Sequence, residues 1–287
     1  MNGWAIGLGA AGLVLLLALI YWQMIIAEGA YLGARVVAWT YDVVASRYDA
    51  IKQFNARNES WFVADPLLRE LAGIENPLVL DVATGTGRLP LALLGERFRG
   101  QIVGLDLSRG MLRQARRKLA PYSDQVSLLW HDASRLPFLD DTFDAVTCLE
   151  SLEFLPDPRR ALAEMVRVLA PGGVLFVTNR VGHEARLLPG RAIPRPEFKR
   201  VLAEQPLSDF RVQRWQVNYD QALARKAGER AVDAREGTDL ASLLRCPACG
   251  GAVQRGGMSY ACRDCWVTFP IREGMVLLAD HDGRGAP

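Results

Sequence analysis

Short apolar segments recur through the middle of the chain, and each is followed by polar residues or by a stretch with helical spacing. The first opens Leu78–Pro90 (LVLDVATGTGRLP), and four more follow at Gln101–Asp106, Val126–Asp132, Phe143–Leu149 and Val174–Thr178. Between the last two, Arg159–Leu169 places apolar residues at helical intervals. Strands that alternate with helices predict an α/β fold with a doubly wound, mainly parallel sheet.

The first strand leads into a Gly-x-Gly turn formed by Gly85 and Gly87. Glycine lets the backbone adopt conformations closed to other residues and come close to a ligand, so the turn suits a nucleotide cofactor. An ordinary strand-to-helix turn is the alternative. A nicotinamide fingerprint requires a third glycine where this chain has Pro90, which disfavours NAD.

Four motifs in order carry a family resemblance: DVATGTG, GLDLSRGMLRQAR, HDASRLPFLDDTFDAV and LPDPRRALAEMVRVLAPGGVLFVT. Together they resemble the class I S-adenosylmethionine-dependent methyltransferases, and most of all the branch that contains the ubiquinone/menaquinone C-methyltransferases. The resemblance covers roughly Tyr41–Asp220. It implies a Rossmann-like fold with S-adenosylmethionine as the cofactor.

The resemblance assigns cofactor contacts to residues at the ends of the first three strands: Asp81, Ala83, Gly85, Gly87, Asp106, Leu107, Met111, Asp132 and Ala133. Asp81 and the glycine turn would hold the methionine end, and Leu107 and Met111 would flank the adenine. Asp106 would take both ribose hydroxyls and Asp132 the adenine amino group, because a carboxylate only accepts hydrogen bonds. For both aspartates, a role as a strand-end turn residue is the alternative.

Methyl transfer from a sulfonium uses an already activated reagent, so proximity and alignment can supply most of the catalysis. A base is needed only where the acceptor must lose a proton. Candidates follow the fourth and fifth strands, at the edge where open α/β sheets bind ligands: Glu150, Ser151, Glu153, Asn179, Arg180, His183 and Glu184. We select Glu150, Glu153 and His183, with a solvated loop histidine as the alternative for His183.

The N-terminal segment Trp4–Ala27 contains no charged residue. As a helix it would extend about 36 Å, enough to cross a bilayer core of about 30 Å. A secretory signal peptide is the rival interpretation, but no basic residue precedes Trp4. Basic residues follow the segment at Arg35, Arg47, Lys52 and Arg57. The positive-inside bias therefore predicts a single-pass anchor, residues 4–27, in the cell membrane, with the remainder of the chain in the cytoplasm.

Four of the five cysteines form two C-x₂-C pairs: Cys246, Cys249, Cys262 and Cys265. Two such pairs supply four thiolates for a tetrahedral zinc ion. Disulfides are the alternative, but they require an oxidising compartment. Cys148 lies in an apolar strand and is expected to be a small buried hydrophobe.

The segment Leu243–Asp280 resembles the small zinc-ribbon protein that partners and activates methyltransferases of tRNA and translation factors. Its ending FPIREGMVLL carries most of the likeness. The resemblance implies a protein partner for the ribbon, or a ribbon that packs on the methyltransferase of its own chain. It also keeps an RNA or translation-factor substrate open.

These features divide the chain into an anchor (1–29), a methyltransferase domain (30–220), a linker or helix (221–241), a zinc ribbon (242–280) and a tail (281–287). The formal net charge is only +2, from 34 basic and 32 acidic residues. This balance lacks the excess of positive charge that is typical of nucleic-acid-binding domains.

The sequence thus predicts a membrane-anchored S-adenosylmethionine-dependent methyltransferase that acts at the cytoplasmic face. The anchor favours a lipophilic small-molecule acceptor, such as a quinone precursor or a lipid, because confinement in the membrane raises its effective concentration. Methylation of RNA or of a translation factor is the alternative. A non-catalytic scaffold that binds a partner through the ribbon is a second one.

Overall fold

The computed structural model describes residues 3–229 and 239–278. Its strands are β1 (Leu78–Val82), β2 (Gln101–Asp106), β3 (Val126–Trp130), β4 (Phe143–Cys148), β5 (Leu169–Arg180), β6 (Leu207–Trp215), β7 (Tyr219–Lys226), β8 (Val253–Gly256), β9 (Ser259–Cys262), β10 (Thr268–Arg272) and β11 (Met275–Leu277). Its helices are α1 (Gly3–Tyr21), α2 (Ala34–Val44), α3 (Tyr48–Lys52), α4 (Ala56–Glu59), α5 (Asp65–Glu70), α6 (Arg88–Gly95), α7 (Arg109–Lys118), α8 (Pro158–Val168), α9 (Gly182–Arg186), α10 (Arg195–Ala203) and α11 (Leu240–Leu243).

Within the described ranges, eleven strands pair in the order β6-β7-β5-β4-β1-β2-β3-β11-β10-β9-β8. The five strands from β5 to β3 are parallel to their neighbours, whereas β6 and β7 are antiparallel. Buried apolar residues form one cluster on each face of the sheet. This arrangement confirms the predicted Rossmann-like methyltransferase fold, in which the sheet is mixed because of its antiparallel strands.

The central elements lie where the apolar pattern places them. Strand β2 has the predicted bounds, β3 and β4 end one or two residues early, and α8 is displaced by one residue. Strand β5 differs more, because it begins at Leu169 and includes the Pro171–Gly173 turn. A side chain at Gly173 would lie 2.8 Å from the carbonyl oxygen of Ala170 and 3.0 Å from that of Asp144. The missing side chain therefore lets this part of the strand stay close to β4.

Residues 221–226 belong to strand β7, although their polar composition predicted a solvated helix or linker from 221 to 241. The strand is buried between β5 and β6, and its polar side chains have partners there. Asp220, which is fully buried, pairs with Arg195, and Arg225 pairs with Glu70 at 2.8 Å. Composition alone misses the strand because these partners come from distant parts of the chain. The rest of the predicted linker includes 230–238, outside the described residues.

Helix α1 continues into a π-helical turn, Trp22–Ile26. Its segment Gly7–Ile26 is long and apolar enough to cross a membrane, and none of it is buried against the rest of the protein. A signal sequence shares these properties. The following turn packs onto the domain, where Ala27 and Ala30 are buried.

Helices α2 and α3 lie across the carboxyl ends of the parallel strands and are fixed there by two aspartates. Asp42 accepts hydrogen bonds from the hydroxyl of Ser108 and the backbone N–H of Gly110, both at 2.6 Å. Asp49 accepts from the hydroxyl of Thr86 at 2.6 Å and pairs with Lys118 at 2.7 Å. These bonds hold the N-terminal helices over the glycine turn and the start of α7.

The cysteine-rich C-terminal segment extends the central sheet. Strand β11 pairs in parallel with β3, with Met275, Val276 and Leu277 opposite Leu128, Leu129 and Trp130. Val276 joins one of the two buried clusters of the methyltransferase strands, and Met275 and Leu277 join the other. The ribbon is therefore an integral edge of the sheet.

The Gly100→Ala variant is expected to lose about 1–3 kcal/mol of stability, because a methyl group there would lie 2.0 Å from the carbonyl oxygen of Pro77 and 2.5 Å from the Phe98 ring. Gly95→Ala is the matched control, since its methyl group meets nothing within 4 Å. The control should be neutral or slightly stabilising in helix α6. Denaturant unfolding of both variants measures the difference, and equal stabilities would contradict the close packing before β2.

Candidate active site

A cavity opens at the carboxyl ends of β1 to β4 and contains about 1000 Å³ of space, counted to its open mouth. The structure brings eight of the nine predicted cofactor residues to its wall: Asp81, Ala83, Gly85, Asp106, Leu107, Met111, Asp132 and Ala133. The loops after neighbouring parallel strands meet at this edge of the sheet, which is where open α/β sheets bind ligands.

The glycine turn forms the floor of the cavity. Ala83 and Gly85 have positive φ angles of 56° and 55°. An added side-chain carbon at Gly85 would meet nothing within 4 Å, so this backbone faces open space that a ligand can occupy. The residues present therefore fit a nucleotide-like cofactor.

Gly87, the ninth predicted residue, is not part of the cavity wall. It has a φ of 83° at the start of α6, and a side chain there would lie 2.9 Å from Leu119. The glycine is required by the turn and by packing beneath the end of α7. From the sequence alone, the different roles of Gly85 and Gly87 cannot be distinguished.

Two carboxylates, the buried Asp81 and the half-buried Asp106, hold the turn in place. Asp106 accepts hydrogen bonds from the backbone N–H groups of Gly85 and Ser108, each at 2.8 Å. Asp81 accepts from the hydroxyls of Thr84 and Thr147, each at 2.7 Å. Burial raises the pKa of each carboxyl to about 6, although these hydrogen bonds act in the opposite direction.

Asp132 fixes a turn and also lines the cavity. Its Oδ1 accepts hydrogen bonds from the backbone N–H of Ser134 at 2.7 Å and from the Ser134 hydroxyl at 2.6 Å, which fixes the turn after β3. The same residue lines the cavity together with Ala133. A carboxylate has spare acceptor capacity after two such bonds. Turn formation and ligand contact are therefore compatible.

The N-terminal helices supply a wall of the cavity that sequence reasoning missed. Four residues of α2 line it, together with aromatic residues of neighbouring elements: Ala34, Val37, Ala38, Tyr41, Tyr48, Phe54 and Phe154. The rings of Tyr41 and Phe154 lie 6.2 Å apart, and the Tyr41 hydroxyl donates to Glu28 at 2.5 Å. The α2 residues follow helical spacing, so this period could have revealed them.

Of the three selected acid–base candidates, Glu150 lines the cavity. Its carboxylate pairs with Arg88 at 2.6 Å and with Lys52 at 3.5 Å. Burial acts to raise the pKa of Glu150, but these two cations outweigh it and hold the pKa below its ordinary value. Glu150 therefore presents an ionised oxygen acceptor to the cavity.

Glu153 and His183 lie outside the cavity wall. The Glu153 side chain is only 1% exposed and accepts from Arg180 at 2.6 Å and from the Tyr219 hydroxyl at 2.9 Å. Its second oxygen has no hydrogen-bond partner among the described residues. His183 is exposed on α9. The side-chain amide of Asn179 donates to the carbonyl of Ile193 and accepts from its N–H.

The four cysteines of the C-x₂-C pairs converge, with all four sulfur atoms within 4.8 Å of one another. The sulfurs of Cys246 and Cys265 lie 3.6 Å apart, and those of Cys249 and Cys262 lie 3.4 Å apart. Four ligands at about 2.3 Å from a tetrahedral zinc ion would be about 3.8 Å from one another. The donor set and its spacing therefore fit zinc. Cys148 is fully buried, away from this group, as expected for a core residue.

The ribbon holds both ends of the loop that carries Asp132. At one end, the backbone N–H of Leu278 donates to the carbonyl of Trp130 at 3.0 Å. At the other, the N–H of Arg245 donates to the carbonyl of Pro137 at 2.9 Å. Arg245 directly precedes the cysteine pair that begins at Cys246. The geometry of the cysteine cluster and that of this cavity loop are therefore mechanically linked.

Comparison with known proteins agrees with this geometry. Residues 80–177 match the family model for a methyltransferase domain. The demethylmenaquinone methyltransferase of Clavibacter sepedonicus is 38% identical over 143 residues, covering 49% of this chain and 56% of that protein. The ubiquinone/menaquinone biosynthesis C-methyltransferase UbiE of Syntrophotalea carbinolica is 36% identical over 139 residues, covering 48% of this chain and 58% of that protein. The chain spans about half the length of the curated relatives it matches.

Solved structures share the fold at low sequence identity. A SAM-dependent methyltransferase from Aquifex aeolicus has a TM-score of 0.51 at 22% identity, covering 65% of this chain and 98% of its own. A chain from the complex of the Haloferax volcanii Trm112 methyltransferase activator with a methyltransferase has a TM-score of 0.54 at 21% identity, covering 66% of this chain and 98% of its own. The [4+2]-cyclase SpnF has a TM-score of 0.55 at 21% identity, covering 67% of this chain and 96% of its own. Because a cyclase has the same fold, the residues of the site must carry the functional argument.

Cofactor affinity is expected to fall as the pH drops below about 6, where the Asp106 carboxylate becomes protonated. Only the ionised group can accept from two ribose hydroxyls, so affinity is present above this pKa and is lost below it. Calorimetric titration with S-adenosylmethionine between about pH 5 and 8 measures the profile.

The Asp106→Asn variant should bind S-adenosylmethionine about 10 to 150 times more weakly at neutral pH, a loss of about 1.5–3 kcal/mol. Its affinity should also depend less on pH, with Asp81 responsible for what dependence remains. Asp124→Asn, which changes an exposed carboxylate, serves as the control. Superimposable profiles for the native chain and Asp106→Asn would contradict the assignment.

Proposed function

Because residues 80–177 match the family model for a methyltransferase domain, we propose that the chain is an S-adenosylmethionine-dependent methyltransferase that transfers a methyl group to a lipophilic small molecule at the cytoplasmic face of the cell membrane. A quinone precursor is the favoured acceptor. The relatives named demethylmenaquinone methyltransferase support this choice, as does the apolar helix at the N-terminus.

The observation that carries the proposal is the composition of the cavity. One side presents the carboxylates and the glycine turn of a nucleotide-cofactor site, and the other presents aromatic rings. Phe154 follows β4, the direct neighbour of β1, so an aromatic wall lies next to the strand end that carries Asp81. Such a wall suits a flat, apolar ring, because aromatic pairs stabilise each other in offset and edge-to-face contacts.

S-Adenosylmethionine, when bound, supplies a methyl group on a sulfonium that is already activated for displacement. The residues of this chain then need to align the acceptor and exclude water. Asp106 and Asp81 would orient the cofactor from the floor, while Tyr41, Tyr48 and Phe154 would hold the acceptor ring against it. No nucleophilic side chain is required for this reaction.

We assign Glu150 the role of accepting a hydrogen bond or a proton from the acceptor. It is ionised, it lines the cavity, and it lies at the end of β4. Arg88 and Lys52 fix its position and stabilise its charge. An acceptor hydroxyl that bonds to Glu150 would gain electron density as its proton moves towards the carboxylate. Glu153 would support this edge by holding Arg180.

Membrane lipids from cells that lack the protein should contain an acceptor one methyl group lighter than its counterpart in normal cells. The full chain, reconstituted with those lipids and isotope-labelled S-adenosylmethionine, should transfer the label to that acceptor. Mass spectrometry of the lipid extracts reads out both results. Label found only in RNA or protein would support the alternative substrate. The absence of any transfer would support the non-catalytic scaffold.

In the same assay, Glu150→Gln should lower kcat by about 10²- to 10⁴-fold while the dissociation constant for the cofactor changes little. Glu184→Gln is the matched control, since Glu184 belongs to the same sheet edge, is exposed and lies outside the cavity. Equal loss in both variants would argue against a specific role for Glu150.

We further propose that Cys246, Cys249, Cys262 and Cys265 bind one structural zinc ion. Four protein ligands leave no open coordination position for substrate. The described ribbon has only a small apolar core of its own. Phe269 and Val276 pack into the cluster that the ribbon shares with the methyltransferase strands. The metal would therefore supply much of the folding free energy of the segment.

Elemental analysis should find one zinc ion per chain, and Cys262→Ser should unfold the ribbon before the β1–β5 sheet. The same variant should raise the dissociation constant for S-adenosylmethionine, because Trp130 and Pro137 lose their bonds to the ribbon. Calorimetry before and after chelation measures this effect, with Met258→Ala on the exposed hairpin as control. Absence of metal, or a disulfide in protein isolated under thiol-blocking conditions, would defeat the zinc proposal.

A further inference from the structure

We propose that the outer face of helix α2 is a docking surface for the lipid bilayer, while its inner face roofs the cofactor cavity. The inference rests on the proposed membrane location and assigns a second contact with the membrane beyond the apolar helix α1. Its occupant is the interfacial region of the bilayer.

Helix α2 has two opposite apolar stripes. The inner stripe consists of Ala34, Val37, Ala38 and Tyr41, which line the cavity. At about 100° per residue, Val36, Trp39 and Val43 fall on the opposite side of the helix. The side chains of Trp39 and Val43 are 57% and 64% exposed. A helix that is apolar on both sides is ordinarily covered on both, so the outer stripe requires a partner.

Aromatic residues indicate the level at which the bilayer surface would meet the domain. Trp22 and Tyr31 stack with ring centroids 5.1 Å apart. The Trp22 ring N–H donates to the carbonyl of Leu187 at 3.0 Å, and the Tyr31 hydroxyl donates to that of Pro189 at 2.8 Å. Tryptophan and tyrosine are concentrated at the interfaces of membrane-spanning helices.

The apolar helix is bounded by tryptophan at both ends. Trp4 lies near its start and Trp22 at its end, a helical distance of about 27 Å. This matches a hydrocarbon core of about 30 Å. The headgroup region on the domain side would therefore surround Trp22, and α2 begins only a few residues later.

The connection between the two helices is packed against the domain, which limits the freedom of α2 to move away from the surface. Ala27 and Ala30 are 0% and 2% exposed, and Arg191 donates to the carbonyl of Ala30. The hydroxyl of Thr40 also donates to the carbonyl of Glu28 at 3.2 Å. This continuity with the apolar helix selects the bilayer, rather than a second copy of the chain, as the partner of the outer stripe.

The arrangement places an acceptor dissolved in the bilayer one helix away from the methyl donor. The backbone of α2 and its side chains span about 10–12 Å. A lipophilic acceptor could then enter the cavity beside α2 without crossing the aqueous phase.

The test uses the full chain in phospholipid nanodiscs that contain a phosphatidylcholine with a photoactivatable diazirine at headgroup depth. Irradiation followed by trypsin releases peptide 36–47, which carries the whole outer stripe, and peptide 256–263, which carries Met258. Met258 is 73% exposed and therefore more accessible to water than Trp39. Mass spectrometry should find several-fold more lipid adduct on 36–47 than on 256–263, concentrated at Trp39 and Val43.

The double variant Trp39→Gln/Val43→Gln should reduce adducts on peptide 36–47 to the level of 256–263. Labelling of the N-terminal apolar peptide and the dissociation constant for S-adenosylmethionine should remain unchanged, because neither side chain lines the cavity. Both side chains are exposed, so the double substitution is expected to leave the fold intact.

Adducts on the N-terminal peptide but not on 36–47 would overturn the docking surface and leave the anchor intact. Failure of the chain to enter nanodiscs would overturn both. Crosslinks between two copies through 36–47, at the expense of lipid adducts, would assign the face to a dimer and overturn the proposal. Lipid adducts on 36–47 in a protein that methylates no lipid would support the docking surface and refute the proposed acceptor class.

Discussion

The carboxylate of Asp106 joins the glycine turn after β1 to the start of α7, because it accepts from the N–H groups of both Gly85 and Ser108. The turn could not keep its positive φ angles beside open space without a fixed partner, since strained backbone persists only where its surroundings determine it. Ser108 in turn donates to Asp42, which brings α2 over the cavity. One half-buried acid thus positions the floor and the roof of the same site.

The parallel strands and α8 could be predicted from sequence because their signals are local. A buried strand in a parallel sheet is a continuous apolar run, and each of these runs ends at a polar residue. The antiparallel strands β6 and β7 carry no such run. Asp220 and Arg225 are acceptable inside or beside the sheet only because Arg195 and Glu70 neutralise them, and those partners lie far away in the chain.

The residues of the site likewise divide into those that local patterns predict and those that distant contacts position. Asp81, Gly85, Asp106 and Asp132 lie at or just after the carboxyl ends of strands, so a strand prediction already places them at one edge. The helical spacing of α2 shows which of its residues share a face, but the position of that face over the cavity depends on how the N-terminus folds back, which no local pattern specifies. The arginine partners of Glu150 and Glu153 likewise decide which carboxylate faces the cavity, and spacing in the sequence treats the two alike.

The pairing of β11 with β3 has a consequence for how the molecule is made. Helix α1 is synthesised before β3 and can engage a membrane early, whereas β11 is synthesised long after β3. The edge of β3 therefore stays open until β11 has been made, a state in which unpaired strand edges invite association with other chains. Domains generally fold as units during synthesis. Here closure must wait for the segment that carries the four cysteines and β11, so on the proposed zinc site the cell's supply of metal would set how long each new chain stays vulnerable to aggregation.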